Sequence, residues 1–120
     1  DSKDGSMVSC SQIYPLPTEI MDWFMEQFLN GPEDAKDLRA SPAHSTDMSD
    51  LAPAIIATAG FDVLRDQGEA YGVKLREAGV PVTYRCYDTL SHAFTAFSGA
   101  VPAAKTACEE IARDMARALG

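Results

Sequence analysis

The feature that most restricts this chain is the order of elements after residue 53. Residues 54–60, AIIATAG, are a short apolar run entered from Pro53 and closed by Gly60. Its length and β-branched content favour a buried strand over a helix. A helix is predicted next, at about 67–78. Asp66 serves as its N-cap, and Glu69 three residues on completes a capping box. Tyr71, Leu75 and Ala78 share one face, and Gly79 gives the stop. Residues 81–88, PVTYRCYD, alternate and are rich in Val, Thr and Tyr, which predicts a second strand. Pro102 opens a last helix running to about residue 119, with Ala104, Ala107, Cys108, Ile111, Met115 and Ala118 on its buried face. Strand, helix, strand, helix is an α/β pattern, and it implies a parallel pair joined by a crossover. Two strands cannot bury both faces of a parallel sheet, so this segment wants a larger sheet beside it.

The first part of the chain reads differently. Residues 1–15 are polar and without period. Residues 18–30, TEIMDWFMEQFLN, predict a helix with Thr18 as N-cap after Pro17. Ile20, Phe24 and Phe28, with Trp23 beside them, form an apolar stripe read as packing surface. Asn30-Gly31-Pro32 ends the helix, and residues 31–53 read as a long connection with one helical turn. Charge divides at the same place. Residues 1–50 hold ten acids and three bases, against eight and seven in residues 51–120. Two structural units, or one solvated acidic face, would each explain this.

The formal net charge of −8 over 120 residues makes nucleic acid and anionic membrane surfaces poor partners. Three cysteines, Cys10, Cys86 and Cys108, form no close pair and no C-x-x-C. A disulfide framework and a zinc knuckle are therefore not expected, no metal site is predicted, and a reducing compartment fits. The polar start DSKDGSMVSC is not a signal peptide, and no apolar run reaches membrane-spanning length. The expected location is cytoplasmic.

In open α/β sheets, reacting groups sit just past the carboxyl ends of strands. Asp62 follows the first strand and His92 follows the second. Adjacent parallel strands would bring this carboxylate and imidazole together, the supporting half of a nucleophilic triad. The plainer alternatives are that Asp62 only starts a turn and Asp66 only caps a helix. His44, in the polar stretch SPAHSTD, is read as solvated.

These residues also carry a family resemblance. TAGFDVLRDQGEAYGVKLREAGVPVTYRCYDTLSHAF resembles the C-terminal signature of bacterial hormone-sensitive-lipase-like esterases, within the α/β-hydrolase superfamily. The usual form is D-P-L-x-D-E-G and then, after a helix and a strand, H-G-F. The likeness extends forward through SPAHSTDMSDLAPAIIATAG and MDWFMEQFLN to about residue 14. It implies that residues 51–120 are the C-terminal part of the catalytic domain and residues 1–50 the second half of a helical cap. It gives Asp62 the role of triad acid and His92 that of triad base. It places Leu16 and Phe24 on the wall facing the acyl group, although packing of cap against core would explain them as well. It further implies serine carboxylesterase activity on short to medium acyl esters, no cofactor, and homodimerisation through 82–88 and 101–119.

Two positions depart from the pattern. Val63 stands where proline is usual, and Ala93 where glycine is usual, which is uncomfortable if that position needs positive φ. The chain also contains no G-x-S-x-G elbow and no H-G-G-G loop. The expectation is a missing upstream segment, or a separate chain, carrying the serine and the oxyanion donors. Two other readings are a non-catalytic interaction module and, more weakly, a cysteine enzyme pairing Cys86 or Cys108 with His92.

Overall fold

Two parallel strands organise the molecule. In the computed structural model, which describes residues 5–120, β1 spans Ala54–Phe61 and β2 spans Val82–Ser91. Residues 1–4, the start of the expected cap half, lie outside the described residues. The strands pair in parallel as predicted, with Ala54 opposite Val82 and Ala59 opposite Tyr87. Each runs further at its carboxyl end than its composition announced. β2 gains most, because the strand continues past Asp88 through Thr89 and Leu90 to Ser91, which pairs with Phe61.

Alternate residues of a strand face opposite sides, and here each side receives a helix. On one face, α3 (Arg65–Glu77) lies over Ile56, Thr58 and Val82. Leu75, Val80 and Met48, between 2% and 4% exposed, form the core of that layer. Gly68 lets the helix come close, since a Cβ there would stand 2.8 Å from Thr58 Cγ2. On the other face, α4 (Pro102–Leu119) packs Ala104 and Ala107 against Ala59, Leu90 and Phe94, with Tyr87 and Ile111 at the margin.

Some local expectations need correction. α3 begins at Arg65, with Leu64 in the cap position and no side-chain cap bond. The Asp66–Glu69 capping box does not form, because the Asp66 carboxylate is engaged by Ser6 and Arg65 instead. The predicted buried face of α4 is too long. Cys108 is half-buried, while Met115 and Ala118 are exposed. Met115 and Ala118 line an open groove with Ala54, Ile55, Val82 and Thr83 at the strand starts, and the buried group of that part of the helix is Asp114. Arg85 of β2 grips Asp114 through Nε and Nη2, which holds the carboxyl below its ordinary range and ties helix to sheet.

The first fifty residues contain α1 (Ser6–Ser9) and α2 (Thr18–Phe28). Two 3-10 turns follow, Pro32–Lys36 and Pro42–His44, in the stretch expected to hold one helical turn. Thr18 lies inside α2 and Pro17 takes the cap position. The Thr18 hydroxyl donates to the Met7 carbonyl at 2.8 Å, tying α2 to α1. Met7, Cys10, Leu16 and Val63 form a third buried cluster, with Ile13, Met21 and Leu64 packed on it. The apolar stripe of α2 is not core among the described residues. Trp23, Phe24 and Phe28 are 51–69% exposed, because only the Met21 side of the helix rests on the chain. No helix is long and apolar enough to cross a membrane among the described residues.

Candidate active site at the strand ends

A change of register brings Asp62 and His92 together. From Ala54 to Ala59, partners differ by 28 in residue number, but Phe61 stands opposite Ser91. Two additional β2 residues enter the ladder between Ala59 and Phe61. At the earlier register the residue beside Asp62 would be Leu90; after the shift it is His92. Gly60 makes the irregularity possible, because a Cβ there would collide with the Asp88 backbone. Such bulges re-aim side chains at strand ends. Nothing in the alternation of PVTYRCYD announces it, although an isolated glycine ending a strand is the signal that could have.

The shift aligns the next two side chains. Asp62 Oδ2 lies 2.8 Å from His92 Nδ1. The other carboxylate oxygen accepts the Leu64 N–H at 2.9 Å, and the His92 N–H donates to the Phe61 carbonyl. Side-chain exposure is 12% for Asp62 and 34% for His92. The carboxylate is thus sheltered and fixed, while the imidazole keeps one side open. An ionised Asp62 makes Nδ1 the donor and leaves Nε2 as the free base. Nε2 has no hydrogen-bond partner among the described residues.

Ala93 follows in the left-handed region, with φ 58 and ψ 25. This position therefore does need positive φ, and alanine occupies it at a cost of about 1–2 kcal/mol relative to an ordinary helical conformation. The turn is continued by the 3-10 segment Phe94–Phe97, whose Phe94 is buried against Tyr87 with ring centroids 5.2 Å apart. An apolar groove of about 300 Å³ is lined by Phe61 and Ser91, the residues before Asp62 and His92, and by Phe94 and Phe97.

The remaining candidates fall elsewhere. Leu16 is buried in the cluster that contains Val63, the residue after Asp62. Phe24 is 51% exposed on α2 and meets Trp23 edge-on. His44 is exposed, as expected of a solvated residue. Burial pushes the Cys86 thiol up, which opposes thiolate formation and weakens the cysteine-enzyme reading. No group of side chains able to hold a metal ion occurs among the described residues.

One set of residues escaped sequence reasoning. Ser6, fully buried, donates its hydroxyl to the Val63 carbonyl at 2.9 Å. Its N–H donates to Asp66 Oδ2 at 2.7 Å, and the Asp66 N–H donates to the Ser6 hydroxyl at 3.2 Å. Arg65 bonds Asp66 Oδ1 through Nε at 2.7 Å and the Gly60 carbonyl through Nη1 at 2.9 Å. The Arg65 hydrogen bond, helped by the Ser6 N–H, holds the Asp66 carboxyl below its ordinary range. Contacts some sixty residues apart leave no local pattern to read.

This geometry has recognisable relatives. A profile described as the alpha/beta hydrolase fold matches residues 1–96. The carboxylic ester hydrolase LipN of Mycobacterium tuberculosis is 48% identical over 80 residues, 66% of this chain and 21% of that protein. Ethyl acetate hydrolase of Pseudomonas putida is 37% identical over 81 residues, 68% of this chain and 26% of that enzyme. Among solved structures, the carboxylesterase EstE1, cloned from a metagenomic library, superposes with a TM-score of 0.91 at 34% identity, over 98% of this chain and 40% of its own. The chain thus spans about a fifth to two fifths of the length of these relatives. With its parallel pair, flanking helices and matched profile, the chain belongs to the α/β-hydrolase fold family, in its hormone-sensitive-lipase-like branch.

Proposed function

We propose that this chain supplies the acid and the base of a serine carboxylesterase, with Asp62 and His92 in those roles. The observation that carries the reading is the 2.8 Å contact between Asp62 Oδ2 and His92 Nδ1, at the carboxyl ends of two adjacent parallel strands. Its support from relatives is that those named here are called ester hydrolases. The attacking serine and the oxyanion donors belong, in this reading, to a further segment of the intact enzyme.

The chemistry follows from the pair. Asp62 holds Nδ1 protonated and leaves the Nε2 lone pair toward the reacting side. Nε2 takes the serine proton as the hydroxyl attacks the ester carbonyl, and the Asp62 carboxylate steadies the imidazolium that forms. His92 then returns the proton to the departing alcohol. Water then attacks the acyl-serine carbonyl while giving a proton to the same nitrogen, and His92 passes that proton to the serine oxygen as the acid leaves. The 34% exposure of His92 suits this traffic, and the shelter of Asp62 keeps water from competing for Nδ1. Esters of short to medium acyl chains are the substrates in this reading, in keeping with the relative called ethyl acetate hydrolase. Phe24 would meet the acyl chain from α2, while Leu16 would act from below by packing against Val63.

The test is His92→Ala in the intact enzyme with a short-chain ester. Hydrolysis should fall by about ten-thousandfold or more, with the folded signature kept. Activity near that of the parent would remove His92 from the mechanism.

A further inference from the structure

The loop that carries Asp62 is gripped on both sides by residues the triad does not include. Ahead of Asp62, Arg65 Nη1 holds the Gly60 carbonyl; behind it, the Ser6 hydroxyl holds the Val63 carbonyl. Asp66 joins the two grips, since one carboxylate oxygen takes Arg65 Nε and the other takes the Ser6 N–H. The Asp66 N–H returns to the Ser6 hydroxyl, so that this buried hydroxyl is both donor and acceptor. Gly5 fits the same arrangement. It has a positive φ of 57, and a Cβ there would strike the Asp66 carboxylate, so the chain closes on Asp66 through bare backbone. The link reaches across some sixty residues, from α1 in the first unit to the start of α3 in the second.

We propose that Asp66 and Ser6 are positioning residues for Asp62. They fix the peptide units flanking the acid, and so fix the carboxylate against His92 Nδ1, and they couple α1 to the acid loop. This inference rests on the reading of Asp62 as triad acid. The geometry distinguishes it from ordinary helix capping. The Ser6 hydroxyl does take the Asp66 N–H in the first turn of α3, but the network also holds the Gly60 and Val63 carbonyls, within two residues of Asp62 on either side. Misplacement of a reacting group by about 1 Å can cost up to a hundredfold in rate, so a loosened acid loop should be visible in turnover.

The test compares Asp66→Asn, Ser6→Ala and His92→Ala in the intact enzyme, with a short-chain ester and with the downfield proton resonance of His92 Nδ1–H. Asp66→Asn and Ser6→Ala should each lower kcat about tenfold with KM little changed, and should broaden the Nδ1 proton signal as it exchanges with solvent. Unchanged kcat and an unchanged Nδ1 signal, together with a lower melting temperature, would show that the network only holds the fold and would overturn the proposal. Should Asp66→Asn fail to fold, Ser6→Ala decides, because it removes one hydroxyl and leaves the ion pair in place. An active His92→Ala would instead overturn the esterase reading, and the Nδ1 signal alone would then decide whether Asp66 and Ser6 position Asp62.

Discussion

Residues 54–119 and residues 5–53 are built on different terms. In the later unit, the apolar faces predicted from sequence find partners within the chain except at the end of α4, where Met115 and Ala118 stay exposed. β1 and β2 pair with each other, α3 covers one face and α4 the other. In the earlier unit, the most apolar helix has no buried residue and shows Trp23, Phe24 and Phe28 to the outside. Two contacts join the units: a polar one, the Ser6 hydroxyl, the Asp66 carboxylate and the Val63 carbonyl beside a cluster of Met7, Cys10 and Leu16, and an apolar one, Met48 packed with Leu75 and Val80. The lesson is that apolar periodicity reports a surface to be covered, but not whether this chain covers it.

That contrast can be broken or sharpened by substitution. The largest stability effect should come from the covered side. Leu75→Ala removes a side chain 2% exposed and should cost about 2–5 kcal/mol, read as a shift in urea midpoint, whereas Phe28→Ala, at 69% exposed, should change stability by less than about 0.5 kcal/mol. Similar losses at both positions would mean that α2 is packed after all. The glycines give a second contrast. Gly60→Ala forces a Cβ into the Asp88 backbone and should undo the register shift, lowering turnover about a hundredfold in the intact enzyme. Gly31→Ala meets nothing within 4 Å in an extended backbone and should leave turnover unchanged. The smallest effect is a gain. Ala93→Gly relieves the positive φ and should stabilise by about 0.5–1 kcal/mol in thermal melts.

How far the sequence could be read follows the same line. The α/β class, the parallel pairing and the positions of Asp62 and His92 were legible, because strand, helix and loop each left a local pattern. The worry over Ala93 was also justified, since the residue after His92 does adopt the left-handed conformation. The helix starts were misjudged at Thr18 and Asp66. Both are good capping residues by type, yet their side chains bind Met7 and Ser6, groups distant in sequence. The register shift at Gly60 and the Ser6 network were invisible for the same reason, being made by contacts between segments. Met115 and Ala118 follow the helical period of α4 but line an open groove beside the strand starts, which none of the described residues covers.

The central claim is that the 2.8 Å contact between Asp62 and His92 is the acid–base half of an ester-cleaving triad. Turnover of Asp62→Asn in the intact enzyme tests it most directly. An amide in place of the carboxylate leaves the contact in reach but favours the wrong imidazole tautomer, and kcat should fall by about ten-thousandfold while the fold stands. A loss smaller than about tenfold, where the tautomer argument requires far more, would mean that another group serves as the acid and that the contact is structural.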